Sequence, residues 1–208
     1  MPFTVTILAT ILIYTWVLEP RGVPVAAPAV VVVCATLVNG VRSGVWGLSL
    51  KALPPASRAA TIFTVAAVPV VLAVGLALGT LHDRPALLAN LAALIPWGGA
   101  QQWVLQTVVL REARRLISGT SNLESTSYST TSIVLAAALF SVVHAPNPFL
   151  MLVTFAGALG WCAIFARYPN IMPLAVSHAV TTLAVLYAFD DDVTGRLRIG
   201  QAYLRLGR

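Results

Sequence analysis

Seven long apolar runs, almost free of charged residues, take up most of this chain and leave it few ways to fold. A bilayer core about 30 Å thick is crossed by about 20 apolar residues in a helix. Only a helix or a closed barrel satisfies every backbone N–H and C=O there without water. The runs lie at about 3–18, 23–41, 59–81, 86–110, 131–145, 148–166 and 170–189. They predict an all-α fold, a polytopic transmembrane bundle of seven spans or eight, built as a single integral membrane domain over residues 1–208. With 58% hydrophobic and 10% charged residues and a mean hydropathy of +0.86, no room remains for a separate soluble domain.

The net charge of +6 would suggest nucleic acid in a soluble protein. Here the arginines fall between apolar runs and at the C-terminus, where they contact anionic lipid and set topology, so no nucleic-acid partner is expected. Arg42, Lys51 and Arg58 share one side with Arg111, Arg114 and Arg115, read as cytoplasmic. Seven spans then put Arg196, Arg198, Arg205 and Arg208 on the opposite face. Cys34 and Cys162 each lie within an apolar run and read as packing residues. The first run lacks a basic flank and a small-residue cleavage site, so it is taken as a retained span.

The first and fifth runs are short for a span. Residues 43–58, with Trp46, Lys51 and a break at Pro54-Pro55, read as an interfacial hairpin or short amphipathic helix. Residues 117–132, rich in Ser and Thr, read as a loop whose end caps the fifth helix. Gly75 and Gly79 form a GxxxG pair suited to close helix packing.

Three small polar constellations interrupt the apolar runs: Gln101-Gln102 with Gln106, Phe140 with His144, and His178 with Thr182. In each, the end residues stand four positions apart, as Gln102 and Gln106 do, so a helix puts them on one face, one turn above the other. A polar side chain in hydrocarbon is costly, so these faces are expected to turn inward and assemble one pocket from three helices. Interhelical hydrogen bonding alone, worth about 0.6 to 2 kcal/mol per contact, is the plainer reading of the glutamines. The Pro96-Trp97-Gly98-Gly99 stretch before them is expected to kink or open the helix.

The order and spacing of these motifs resemble the CPBP family of intramembrane proteases, which includes CAAX prenyl endopeptidases of the Ras-converting type and bacteriocin self-immunity proteins. That family carries Glu-Glu-x-x-x-Arg on one span, Phe-x-x-x-His on the next and His-x-x-x-Asn or Asp on a later one. The corresponding stretches are Gln101-Gln102-Trp-Val-Leu-Gln106, Phe140-Ser-Val-Val-His144 and His178-Ala-Val-Thr-Thr182. The family-like core covers about residues 96–186.

The resemblance implies an endopeptidase of a bacterial cytoplasmic membrane, acting on a membrane-embedded or lipidated peptide or protein. It also implies that Gln102 stands where the family has the glutamate that activates water, Gln106 where it has arginine, and Thr182 where it has asparagine. An amide is no general base near neutral pH. A neutral histidine can take that part, with His144 as base and His178 as oxyanion or water ligand. Gln101, Gln102 and Thr182 remain at hand as polar partners, and Gln106, Phe140 and Thr182 shape the pocket. Two histidines without a carboxylate or cysteine fall short of the three ligands of a catalytic zinc, so no cofactor or metal is expected. Two other readings stay open: a pseudoprotease that binds a membrane peptide without cutting it, and a small transporter or channel subunit.

Overall fold

The computed structural model describes residues 1–83, 87–119 and 128–206. The central part of the Ser/Thr-rich stretch, residues 120–127, and Arg208 lie outside them.

Helix α1 (Pro2–Ile13) starts on a proline, whose missing N–H costs nothing in the first turn. It continues through a π turn (Tyr14–Leu18) and a 3-10 turn (Glu19–Arg21). The resulting apolar rod, Pro2–Arg21, is 20 residues long. The first run is therefore not short: the apolar pattern stops at Glu19, but the helical backbone does not. Helix α2 spans Ala26–Ser43 and α3 spans Leu53–Leu78. The Pro54-Pro55 pair, read as a break, instead lies in the first turn of α3, where its fixed φ favours the helix. Arg58 accordingly belongs to α3, and the connector ahead of it carries only a 3-10 turn (Leu50–Ala52).

Helix α4 (Leu87–Val104), a π turn (Leu105–Val109) and α5 (Leu110–Ser118) form one further rod. The expected opening at Pro96–Gly99 is absent, since α4 runs through Pro96; the irregular turn comes later, at 105–109. Helix α6 (Thr130–Val142) is short, with 13 residues. Its N-cap is Ser129, whose Oγ accepts from the Ser132 N–H at 3.1 Å. Ser129→Ala is expected to cost about 1 kcal/mol of stability, read as a lowered thermal-unfolding midpoint. Then follow α7 (Pro148–Arg167), α8 (Met172–Ala188), and the short α9 (Asp191–Thr194) and α10 (Gly200–Leu204).

The rods alternate between two ends. At one end, Leu48 bridges to Asn170, Asn39 Nδ2 donates to the Thr107 carbonyl, and Glu112 receives the backbone N–H groups of Phe3 and Thr4. At the other, Asn147 Nδ2 donates to the carbonyls of Thr194 and Arg198, and the Gly200 N–H donates to Ala145. Arg196, Arg198 and Arg205 thus lie at the opposite end from Arg42 and Arg111. Among the described residues, four helical stretches are long and apolar enough to cross a membrane: Pro2–Arg21, Ala26–Ser43, Leu50–Leu78 and Pro148–Arg167.

Apolar side chains such as Val65, Leu76 and Leu152 face outward, while Gln102, Gln106 and His178 are buried inside. This is the arrangement a lipid solvent demands, because leaving polar groups in hydrocarbon costs far more than exposing leucine to it. The fold is an all-α membrane bundle. Helix α8 packs between α3 and α4, so the helix carrying His178 is held on two sides.

Candidate active site

Gln102 and Gln106 sit one turn apart at the junction of α4 and the following π turn, and both are fully buried. Gln106 Nε2 donates to Gln102 Oε1 at 2.9 Å, and Gln102 Nε2 lies 3.1 Å from His178 Nδ1 on α8. Helix α4 approaches α8 closely because Gly98 leaves space there. A Cβ on Gly98 would stand 3.3 Å from both Cβ and Cγ of His178.

The His178 ring is fixed on its remaining sides. Trp161 of α7 stacks on it with ring centroids 4.4 Å apart and planes 15° from parallel, and Phe140 of α6 meets it edge-on at 6.5 Å. The indole is itself anchored, since Trp161 Nε1 donates to Ser177 Oγ at 3.0 Å, and Ser177 Oγ is 2.7 Å from Thr64 Oγ1 on α3. Four helices therefore converge on one imidazole.

His144 lies two residues past the C-terminus of α6. Its Nδ1 is 2.8 Å from the Phe140 carbonyl, and its ring meets the Phe140 ring edge-on at 5.1 Å. It is half-buried, and the Phe140 ring meets both its ring and that of His178 edge-on.

The two histidines meet different partners at Nδ1. A carbonyl oxygen only accepts, so His144 Nδ1 carries the proton and leaves Nε2 with a lone pair. With the Gln102 amide turned so that its Oε1 receives Gln106 Nε2, its Nε2 donates to His178 Nδ1, and Nε2 of that ring then carries the proton. The site thus offers one basic nitrogen and one N–H donor from two otherwise similar rings.

Of the residues singled out in the sequence, Gln102, Gln106 and His178 form one hydrogen-bonded chain, and Phe140 joins His144 to His178 through ring contacts. Gln101 and Thr182 are only half-buried and make no side-chain hydrogen bond among the described residues. Glu112 is buried, but its carboxylate is held by the N–H groups that open α1, away from the histidines. Among the described residues, no three His, Cys, Asp or Glu side chains gather as metal ligands.

Sequence reasoning missed Trp161, Ser177 and Thr64. Trp161 had no visible signal, being one more apolar residue on α7. Ser177, adjacent to His178, was the available hint.

The comparison with protein families matches residues 85–184 to the family described as Type II CAAX prenyl endopeptidase Rce1-like. The matched stretch contains all seven of the site residues named from the sequence. No curated protein and no solved structure matches the chain.

Proposed function

From the match of residues 85–184 of this membrane protein to the Type II CAAX prenyl endopeptidase Rce1-like family, we infer that the chain hydrolyses a peptide bond of a membrane-embedded or lipidated substrate, with a histidine in place of a carboxylate as base. The observation that carries this reading is that Nδ1 of His144 faces a carbonyl while Nδ1 of His178 faces the Gln102 amide nitrogen. His144 Nε2 takes a proton from water, and the hydroxide formed attacks the substrate carbonyl carbon. The oxyanion accepts a hydrogen bond from His178 Nε2–H, a contact worth about 3 to 4 kcal/mol in comparable sites. The His144 imidazolium then returns its proton to the leaving amine as the C–N bond breaks, so charge and protons balance.

Gln102 serves as an orienter in this scheme. By its resemblance to the family motif it stands where a glutamate would activate water, and as an amide it holds His178 in the donor tautomer instead. Gln106 supports Gln102 in turn. Trp161 and Phe140 exclude water from the ring and keep it from turning.

The test is cleavage of a membrane-peptide library by the purified chain in nanodiscs, beside Gln102→Glu. The chain is expected to cleave, and Gln102→Glu to cleave about tenfold more slowly, because a carboxylate accepts from His178 Nδ1–H and leaves Nε2 without the proton it gives the oxyanion. Cleavage by Gln102→Glu with none by the unmodified chain would sink the histidine-base scheme. It would leave the second reading, a scaffold that binds a membrane peptide without cutting it, which the carboxylate-free pocket favours.

A further inference from the structure

The loop that carries His144 is held by a segment from outside the family-matched stretch. Residues 190–206, beyond the 85–184 that match, cross one end of the bundle as a strap containing α9 and α10. At its start the Asp190 carboxylate caps α9, accepting the Val193 N–H at 2.9 Å. Further on, Gly200 lies so close to the π turn of the first rod that a Cβ there would stand 2.5 Å from the Thr15 carbonyl oxygen.

Between these two points the strap meets the loop at Asn147, which is completely buried and uses both ends of its amide. Its Nδ2 donates to the carbonyls of Thr194 at 2.9 Å and Arg198 at 3.1 Å. Its Oδ1 accepts the Leu150 N–H at 3.0 Å and so caps α7. A further bond runs the other way, from the Gly200 N–H to the Ala145 carbonyl at 2.9 Å. The two carbonyls that Asn147 grips flank Arg196 and Leu197, whose φ of +52° and +53° are unfavourable for residues that carry a Cβ. Such a conformation persists where the surrounding bonds over-determine it.

His144 stands at the near side of this clamp. It lies past the end of α6, where turn bonds tie it: its N–H donates to the Ser141 carbonyl at 2.9 Å, and its own carbonyl accepts the Asn147 N–H at 3.1 Å. Whether Nδ1 reaches the Phe140 carbonyl, 2.8 Å away, depends on where the loop sets the His144 Cα.

We propose, on the reading of His144 as base, that Asn147 is a positioning residue that couples the C-terminal strap to His144 and so keeps the ring turned with Nε2 free. The strap fixes Asn147 and Ala145, these fix the loop, and the loop fixes the imidazole. The position calls for an amide, which presents a donor and an acceptor on one planar group. Aspartate would cap α7 as well as asparagine does. It would also set a carboxylate oxygen against two carbonyl oxygens and part the strap from the loop.

Asn147→Asp in the full chain therefore keeps the cap and breaks the clamp. Nitrogen-15 spectra of histidine-labelled protein in nanodiscs, with His144 assigned by its loss in His144→Ala, read which ring nitrogen carries the proton. The unmodified chain is expected to show His144 protonated at Nδ1. Asn147→Asp is expected to show a second population protonated at Nε2, with kcat for peptide cleavage about tenfold lower and KM nearly unchanged. A purely structural role would lower the unfolding midpoint and leave the spectrum and the kcat of the folded protein as they are, and that result overturns the proposal. A lower kcat with an unchanged spectrum overturns it too, as does a changed spectrum with kcat unchanged. Asp190→Ala, which removes the cap of α9 and loosens the strap at its own start, serves if Asn147→Asp fails to fold, with the same changes expected and the same results decisive. If the unmodified chain cleaves no peptide, the hydrolysis reading falls and the spectrum alone decides the coupling: mixed tautomers in the substituted protein uphold it, and a single one overturns it.

Discussion

Replacing His144 by alanine is expected to lower kcat for peptide cleavage by about 10²- to 10⁴-fold while leaving KM nearly unchanged. General-base assistance acts in the transition state, and its removal costs rate more than ground-state binding. His144 is the residue to test because its Nδ1 is committed to the Phe140 carbonyl, leaving Nε2 as the free basic nitrogen. His178 offers no such lone pair, since its Nδ1 is taken by Gln102. The same assay on His178→Ala is expected to show a loss of about 10²- to 10³-fold, the range for a missing oxyanion donor. His144 is half-buried at the end of a short helix, so its truncation should leave the unfolding midpoint nearly in place. Retained cleavage in His144→Ala would remove it as base.

The three constellations were legible because polar residues stand out against apolar runs and because helical spacing says which of them share a face. That spacing brought Gln102 and Gln106 into a 2.9 Å hydrogen bond and Phe140 against His144. Thr182, on α8 with His178, is half-buried and makes no side-chain hydrogen bond among the described residues. The apolar partners of the site left no such mark. Trp161 is one aromatic among many, and only packing shows that it stacks on His178.

The fold shows a similar division. Helix existence followed from the apolar runs, but local irregularities did not. Proline was read as a breaker at Pro54-Pro55 and near Pro96, yet the first pair opens α3 and the second residue lies within α4. A proline in a first turn loses no hydrogen bond, and a single one inside a long packed helix is tolerated where neighbours hold the helix in place. The π turn at 105–109 has no signature in hydropathy at all.

The GxxxG pair separates into two different glycines, and the largest stability effect is expected at the first. Gly75 packs directly on the backbone of Ala188, at the C-terminal end of α8, and a Cβ there would overlap the carbonyl group and Cα of that residue. Gly79 meets nothing, and its φ of +69° marks it as the left-handed residue that ends α3. Gly75→Leu is therefore expected to destabilise the bundle by about 3 kcal/mol or more, since a backbone cannot yield as a side chain does. Gly79→Ala should cost only about 1 kcal/mol, the usual cost of a left-handed alanine. Thermal unfolding in detergent compares the two directly, and equal midpoints would refute the close approach of α3 to α8. The effect should reach the site as well. Helix α8 carries His178, and Thr64 of α3 is hydrogen-bonded to Ser177, so forcing the two helices apart at Gly75 loosens the clamp on the imidazole. The milder Gly75→Ala, if it folds, is then expected to lower kcat more than KM changes, whereas Gly79→Ala alters neither.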